Sequence, residues 1–304
     1  SQDNALPIVA YRPAPVQVSG IGYTNTTGLR TIDYFLSDEV CIPKGDTAAE
    51  AGFTEQILRL PHSHLCYAPE TIRTMPEAGY EPPMRKNGYV TFGSFNNFTK
   101  VTDEVLAAWA EILRQVPDSR LLLKADVFGA ADSRAYAMER IARAGIVPER
   151  LTLRSLSREY LGEYADMDIA LDPFPYPGGG TTCDALYMGV PVVTLAGADH
   201  GGRFGVSLLK NIGLGELAAD STAQYVEKAA GLAGDRELLA ALRRELRPLM
   251  KKSPLMDISA YMKAMEGAYR QIWENYCARQ AAPDYAASRR LTALSDALAQ
   301  AGDT

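Results

Sequence analysis

Only four cysteines (Cys41, Cys66, Cys183 and Cys277) are scattered over the 304 residues, with no C-x-x-C pair. That spacing excludes a disulfide scaffold and reads as reduced, packed thiols in a cytoplasmic protein. Histidine is scarcer still: His62, His64 and His200. One H-x-H pair without neighbouring cysteine falls short of the three or four ligands a zinc site uses, so no metal is expected. No apolar run approaches the ~20 residues of a membrane helix, and the sequence opens on no signal peptide. Basic charge is in deficit, with a net charge of −6, so neither nucleic acid nor membrane is an expected partner. No internal repeat is evident. What remains is an ordinary globular composition, 47% hydrophobic and 22% charged, at a length that suits about two domains.

The pattern that is present is alternation of strand and helix. Tyr89 to Ser94 reads as a strand, and Thr102 N-caps a helix through Val116 with Glu104 in its first turn. Arg120 to Lys124 is a strand, Ala131 to Ala144 a helix stopped by Gly145, and Leu151 to Leu153 a strand. Ser157 to Tyr164 is expected to be helical, with Ser157 as its cap. Short apolar strands between helices predict a parallel sheet covered on both faces. Helices follow over 203–210, 222–233, 235–250, 257–279 and 285–301. Tyr261, Met265, Tyr269, Ile272, Trp273 and Tyr276 form a helical stripe that reads as core or as a contact between lobes.

The chain is organised around Asp172 to Thr194, DPFPYPGGGTTCDALYMGVPVVT. A strand, Ile169 to Leu171, runs into a Pro/Gly loop, and Thr181 and Thr182 open a short helix. Glycines let backbone N–H groups approach a ligand, and a helix N-terminus offers free donors and partial positive charge. A phosphate or diphosphate suits such a place, at the carboxyl end of a strand. Taken alone, Gly-Gly-Gly-Thr-Thr reads equally well as an ordinary turn with a threonine cap.

Residues 1–70 are less regular. Strands are expected at Ile8 to Ala10, Val16 to Ile21 and Tyr34 to Leu36, and a helix over Ala48 to Leu58. Residues 71–87, rich in Pro, Gly and charge, read as a linker.

Several motifs resemble the catalytic region of the O-GlcNAc transferase / SPINDLY family. In the first 70 residues they are Tyr11–Gln17 (YRPAPVQ), Gly22-Tyr23, Thr26–Gly28 (TTG), Asp33-Tyr34 and Arg59–His62 (RLPH). Further on they are Gly93–Asn97 (GSFNN) with Lys100, Leu171-Asp172, Gly180–Asp184 (GTTCD), Tyr187–Pro191 (YMGVP) and Ser253–Leu255 (SPL). GSFNN and the TTC…LYMGVP run are nearer the SPINDLY branch than animal O-GlcNAc transferase.

The resemblance implies an α/β fold of GT-B type, with one complete Rossmann-like donor-binding lobe (88–256), a partial first lobe on the acceptor side (1–70) and C-terminal helices (257–304). It implies a protein O-glycosyltransferase that inverts at the sugar and transfers to Ser or Thr hydroxyls without a cofactor. The nucleotide-sugar donor would be UDP-GlcNAc, or GDP-fucose if the SPINDLY-like motifs govern. Tetratricopeptide repeats and the rest of the first lobe are expected upstream, so this chain alone could bind nucleotide without transferring sugar. A GT-B epimerase is the other enzyme class, but it needs a denser set of acids, bases and histidines.

By position, Lys100 would meet the donor diphosphate and stabilise the leaving group, a role that suits a compact cation before a helix. Thr181 and Thr182, with Gly179 and Gly180, would bind the same phosphates, and Asn97 would orient the diphosphate or sugar. Asp184 would accept from ribose hydroxyls, with Ser157 and Tyr160 beside the base. His200 and Arg203 are secondary candidates, and His62 and His64 read as structural. Animal O-GlcNAc transferase has a histidine just before its threonine pair, where this chain has Gly178 to Gly180.

Overall fold

Two parallel β-sheets organise the computed structural model, which describes residues 5–22, 24–79 and 81–281. A short helix, α1 (Leu6–Val9), stands where Ile8 to Ala10 was expected to be a strand. Pro7 lies in its first turn, where a preset φ and a missing N–H favour helix. The first sheet follows: β1 (Val18–Ser19), β2 (Tyr34–Asp38), helix α2 (Thr47–Ala51) and β3 (Gln56–Leu60), in the order β1-β2-β3. The helix expected over Ala48 to Leu58 is therefore split. Asp46 caps α2 by accepting from the Ala49 N–H at 3.0 Å, and β3 pairs with β2 over five residues, Tyr34↔Gln56 to Asp38↔Leu60. Pairing on a half-buried sheet overrides local helix preference there.

The 71–87 stretch contains a one-turn helix, α3 (Pro83–Asn87). Gly88, at φ +79°, ends it, and the fully buried Met84 donates its N–H to Asp168 Oδ1 at 3.0 Å.

The second sheet begins with β4 (Thr91–Ser94), α4 (Asp103–Gln115), β5 (Arg120–Lys124), α5 (Ala131–Arg143) and β6 (Leu151–Arg154). Thr102 caps α4 by accepting from the Val105 N–H at 3.3 Å, and Leu106, Trp109 and Ile112 bury its inner face. The chain continues with β7 (Ile169–Leu171), α6 (Gly180–Tyr187), β8 (Val192–Leu195), α7 (Phe204–Asn211), β9 (Ala218–Ala219), α8 (Thr222–Gly234), α9 (Arg236–Lys252) and α10 (Ile258–Ala281). The strand order is β6-β5-β4-β7-β8-β9, all parallel. Counted from β4 this is 3-2-1-4-5-6, the doubly wound order that binds ligands where the direction of winding reverses. The reversal lies between β4 and β7.

Ser157 to Tyr164 is not the helix expected. The segment turns and then forms a 3-10 turn, Gly162–Asp166. The Ser157 hydroxyl donates to Glu163, which Lys124 and Arg154 also hold, so the carboxylate draws the segment away from a regular cap. The α10 stripe is only half core. Met265 packs on Leu36 and Leu60 of the first sheet and Ile272 is buried, whereas Tyr269 and Trp273 are about half exposed. Trp273 stacks on Tyr276 with ring centroids 5.4 Å apart. The helix expected at 285–301 lies outside the described residues.

Candidate functional site

After β4 the chain passes Asn96 and Asn97 into a single 3-10 turn, Phe98–Lys100. After β7 it passes Asp172 and a Pro/Gly loop into α6. Because β4 and β7 are neighbours, these two loops meet. Lys100 Nζ donates to the Pro177 carbonyl at 3.0 Å and to Asn96 Oδ1 at 3.5 Å, and lies 4.2 Å from the centre of the Tyr176 ring. Thr181 Oγ1 donates to the same Asn96 oxygen at 3.0 Å. Asn96, 7% exposed, thus joins the lysine to the start of α6. Burial lowers the Lys100 pKa, and the charge on Asp172 opposes that shift. Gly179 occupies the N-cap of α6 and Gly180, which is exposed, is its first residue, so free amides of the first turn adjoin the lysine.

Asp172 holds the loop from beneath. Its Oδ1 accepts from the Gly178 N–H and from Thr182 Oγ1, each at 3.0 Å, and its carbonyl accepts from the Tyr225 hydroxyl at 2.9 Å. Burial pushes its pKa up to about 6, against the pull of these bonds and of Lys100. A Cβ on Gly178 would fall 2.4 Å from both threonine Oγ1 atoms, so only glycine fits there. Thr182, 2% exposed, spends its hydroxyl on the fold, and Thr181 is the partly open member of the pair.

Asp184 is buried at 5% exposure and already accepts three bonds: Tyr67 Oη at 2.6 Å, Arg73 Nη2 at 2.6 Å and Tyr160 Oη at 2.7 Å. Arg73 Nη1 also donates to Tyr160 Oη at 2.6 Å. Burial raises the phenol pKa of both tyrosines, and the Asp184 carboxylate adds to it.

Among the remaining sequence candidates, the side chains of Asn97, Ser157 and His200 bond elsewhere, whereas Arg203 follows Gly202, which packs on the Pro175 carbonyl of the loop. Asn97 caps its own turn, accepting from the Thr99 N–H at 3.0 Å, and lines a separate cleft with Asp126, Tyr136 and Arg140. Ser157 is exposed on Glu163. His200 is buried, its Nδ1 3.1 Å from the Thr24 carbonyl, and burial lowers its pKa to about 4. Arg203 sits at the N-cap of α7 with its Nε buried and without a partner among the described residues.

The family model described as glycosyl transferase family 41 matches residues 68–265. The chain belongs to glycosyl transferase family 41. A rice (Oryza sativa) relative, named a probable UDP-N-acetylglucosamine–peptide N-acetylglucosaminyltransferase SPINDLY, is 45% identical over 299 residues, 97% of this chain and 31% of its own length. The Arabidopsis thaliana SEC relative, whose printed activity is the same, is 31% identical over 285 residues, 90% of this chain and 28% of its own length. Among solved structures, a mutant of the Thermobaculum terrenum O-GlcNAc transferase is 36% identical, with a TM-score of 0.79 over 90% of this chain and 51% of its own. The fold is therefore of the expected GT-B type. This family 41 chain spans about three tenths of the length of the curated relatives it matches.

Three contributors escaped the sequence reading: Asn96, Tyr67 and Arg73. Asn96 adjoins Asn97, and only the turn geometry separates their roles. Tyr67 and Arg73 lie at the edge of the expected linker, where no local pattern signals a partner 111 to 117 residues away.

Proposed function

We propose that this family 41 chain carries the donor site of a protein O-glycosyltransferase, with UDP-GlcNAc as donor and a Ser or Thr hydroxyl as acceptor. The observation that carries this reading is the Lys100–Asn96–Thr181 group at the reversal point of the sheet, beside the first turn of α6. A diphosphate there would take over the Lys100 donor now given to Pro177 and gain the free amides of α6. In the transfer, the acceptor oxygen loses its proton to a base and bonds to the anomeric carbon. The bond from that carbon to the diphosphate breaks with inversion, and the electron pair leaves with the nucleoside diphosphate. Lys100 and the helix amides stabilise the charge that develops on it. Asp184 would bind a ribose hydroxyl by exchanging one of its three donors, and Arg73, with 31% of its side chain exposed, is the readiest to yield. Acceptor recognition would draw on parts of the longer relatives that this chain does not span, where tetratricopeptide repeats are expected.

The activity for which both relatives are named supports UDP-GlcNAc. GDP-fucose is the second reading, favoured by the SPINDLY-like motifs and by the higher identity to SPINDLY than to SEC. Calorimetric titration of the chain with UDP and with GDP separates them. The expected result is preference for UDP, weakened about tenfold or more by Lys100→Ala, as loss of a charge-assisted contact predicts. Preference for GDP would move the assignment to fucosyl transfer. Nucleotide binding indifferent to Lys100→Ala would remove the proposed site.

A further inference from the structure

Helix α7 has a second neighbourhood. Gly205 faces Asp172 under the donor loop, whereas Ser207 donates to Asp38 Oδ2 at 2.9 Å, at the end of β2. Around Asp38 three side chains from distant parts of the chain meet. Cys41, His64 and His200 are 1%, 2% and 3% exposed. The sulfur and one nitrogen of each ring lie within 4.8 Å of one another.

Both imidazoles are fixed in the same way. His64 Nδ1 is 2.6 Å from Asp38 Oδ2, and His200 Nδ1 is 3.1 Å from the Thr24 carbonyl. Each partner is an acceptor, so each Nδ1 carries the proton and each Nε2 presents a lone pair. Both Nε2 atoms are buried without a hydrogen-bond partner among the described residues. Buried polar atoms are paired almost everywhere in folded proteins, so two adjacent orphans call for a ligand. A carboxylate or carbonyl on the far nitrogen is also what orients a metal-binding histidine. Asp38 is itself fully engaged, accepting from the Val40, Cys41 and His64 amides as well.

We propose that Cys41, His64 and His200 bind a zinc ion. One thiolate and two neutral imidazoles are a suitable donor set for Zn²⁺, with bonds of about 2.3 Å to sulfur and 2.0–2.1 Å to nitrogen. Those bonds place ligand atoms about 3.3–3.6 Å apart, so the separations, now up to 4.8 Å, shorten by at most about 1.5 Å on binding. Cys41 gives up its proton to solvent as the Zn–S bond forms. A water completes the tetrahedron from the cleft that His200 lines with Asn25, Ile42 and Ala198. The Asp38 carboxylate offsets the added charge. The ion would tie the loops after β2 and β3 to the 3-10 turn before α7, and so fix the first sheet against the second. This role is independent of the donor site.

Metal-free chain titrated with Co²⁺, and with Zn²⁺ against a chromophoric chelator, tests it. The expected result is one ion per chain and a thiolate-to-cobalt charge-transfer band. Cys41→Ser should abolish the band, His200→Gln should weaken Zn²⁺ binding about tenfold or more, and Cys277→Ser, at an exposed thiol, should change neither. A wild-type chain that shows no such band overturns the proposal whatever the variants do. Zinc binding that survives unchanged in both Cys41→Ser and His200→Gln also overturns it.

Discussion

The donor loop after β7 and the Cys41–His64–His200 pocket lie on either side of α7 contacts, yet they treat their polar atoms in opposite ways. In the donor loop each named group has a partner within the chain: Lys100 with Pro177, Thr181 with Asn96, Thr182 with Asp172, and Asp184 with three donors. A ligand that takes the Lys100 donor exchanges it from Pro177, so at the side chains its net gain comes from charge and fit. In the pocket two nitrogens have no partner among the described residues. An unmade bond on a buried group costs about 1–3 kcal/mol, so a ligand there gains without displacing anything. The first arrangement suits a substrate that must leave, and the second an ion that stays.

The largest expected effect sharpens this contrast from the donor side. Gly178→Ala forces a Cβ to within 2.4 Å of two threonine oxygens in a loop anchored on Asp172. Overpacking of this kind costs about 1–3 kcal/mol. Nucleotide binding should be lost in calorimetry while the cobalt spectrum of the pocket is unchanged. Undiminished nucleotide binding would place the donor elsewhere, and simultaneous loss of the cobalt band would show that the two regions are coupled through α7.

The next effect probes how the loop is anchored. Burial pushes the Asp172 pKa up to about 6 in the folded chain, from an ordinary value of 3.8. Between those values the folded state holds more proton than the unfolded state, so this group's contribution to stability falls as pH rises through the window. Asp168, also raised to about 6 by burial, acts in the same direction, whereas Asp38, lowered mainly by its bonds to His64, acts in the opposite direction at lower pH. Asp172→Asn removes one of these contributions. The drop in urea-unfolding free energy between pH 4.5 and pH 6.5 should shrink by about 2 kcal/mol relative to wild type. An unchanged pH dependence would mean that Asp172 is not the buried acid inferred here.

The same contrast explains what the sequence disclosed. The parallel sheet and its helices were legible because their strands are short apolar runs and their helices carry local caps, as at Thr102 and Gly145. The loop after β7 and its turn into α6 were legible because the glycines, threonines and Asp172 lie in one short stretch. The inward turn of Thr182 and the choice of Asn96 over Asn97 depend on rotamer and turn geometry, which spacing does not carry. The first sheet was harder to read. Its β3 sits in a sequence that also suits helix, and only pairing with β2 decides. The pocket was invisible for a stronger reason: Cys41, His64 and His200 are separated by 23 and 136 residues in the chain. Local ligand spacing therefore predicts no metal, while the fold brings the three side chains together.

The smallest expected effect tests whether the pocket and the helix that crosses to it support each other. Tyr261, on α10, donates to the His64 carbonyl at 3.1 Å, next to Met265 in its contact with the first sheet. Tyr261→Phe removes that bond at a cost of about 0.5–1.5 kcal/mol and leaves the packing of the ring in place. Urea-unfolding midpoints measured with and without Zn²⁺ read the consequence. Without the ion the variant should show the full loss. With it, the loss should persist and the zinc-dependent gain should shrink slightly, because the hydrogen bond and the ion steady the same His64 segment from two sides. Equal zinc-dependent gains in variant and wild type would mean that α10 and the pocket stabilise the first sheet independently.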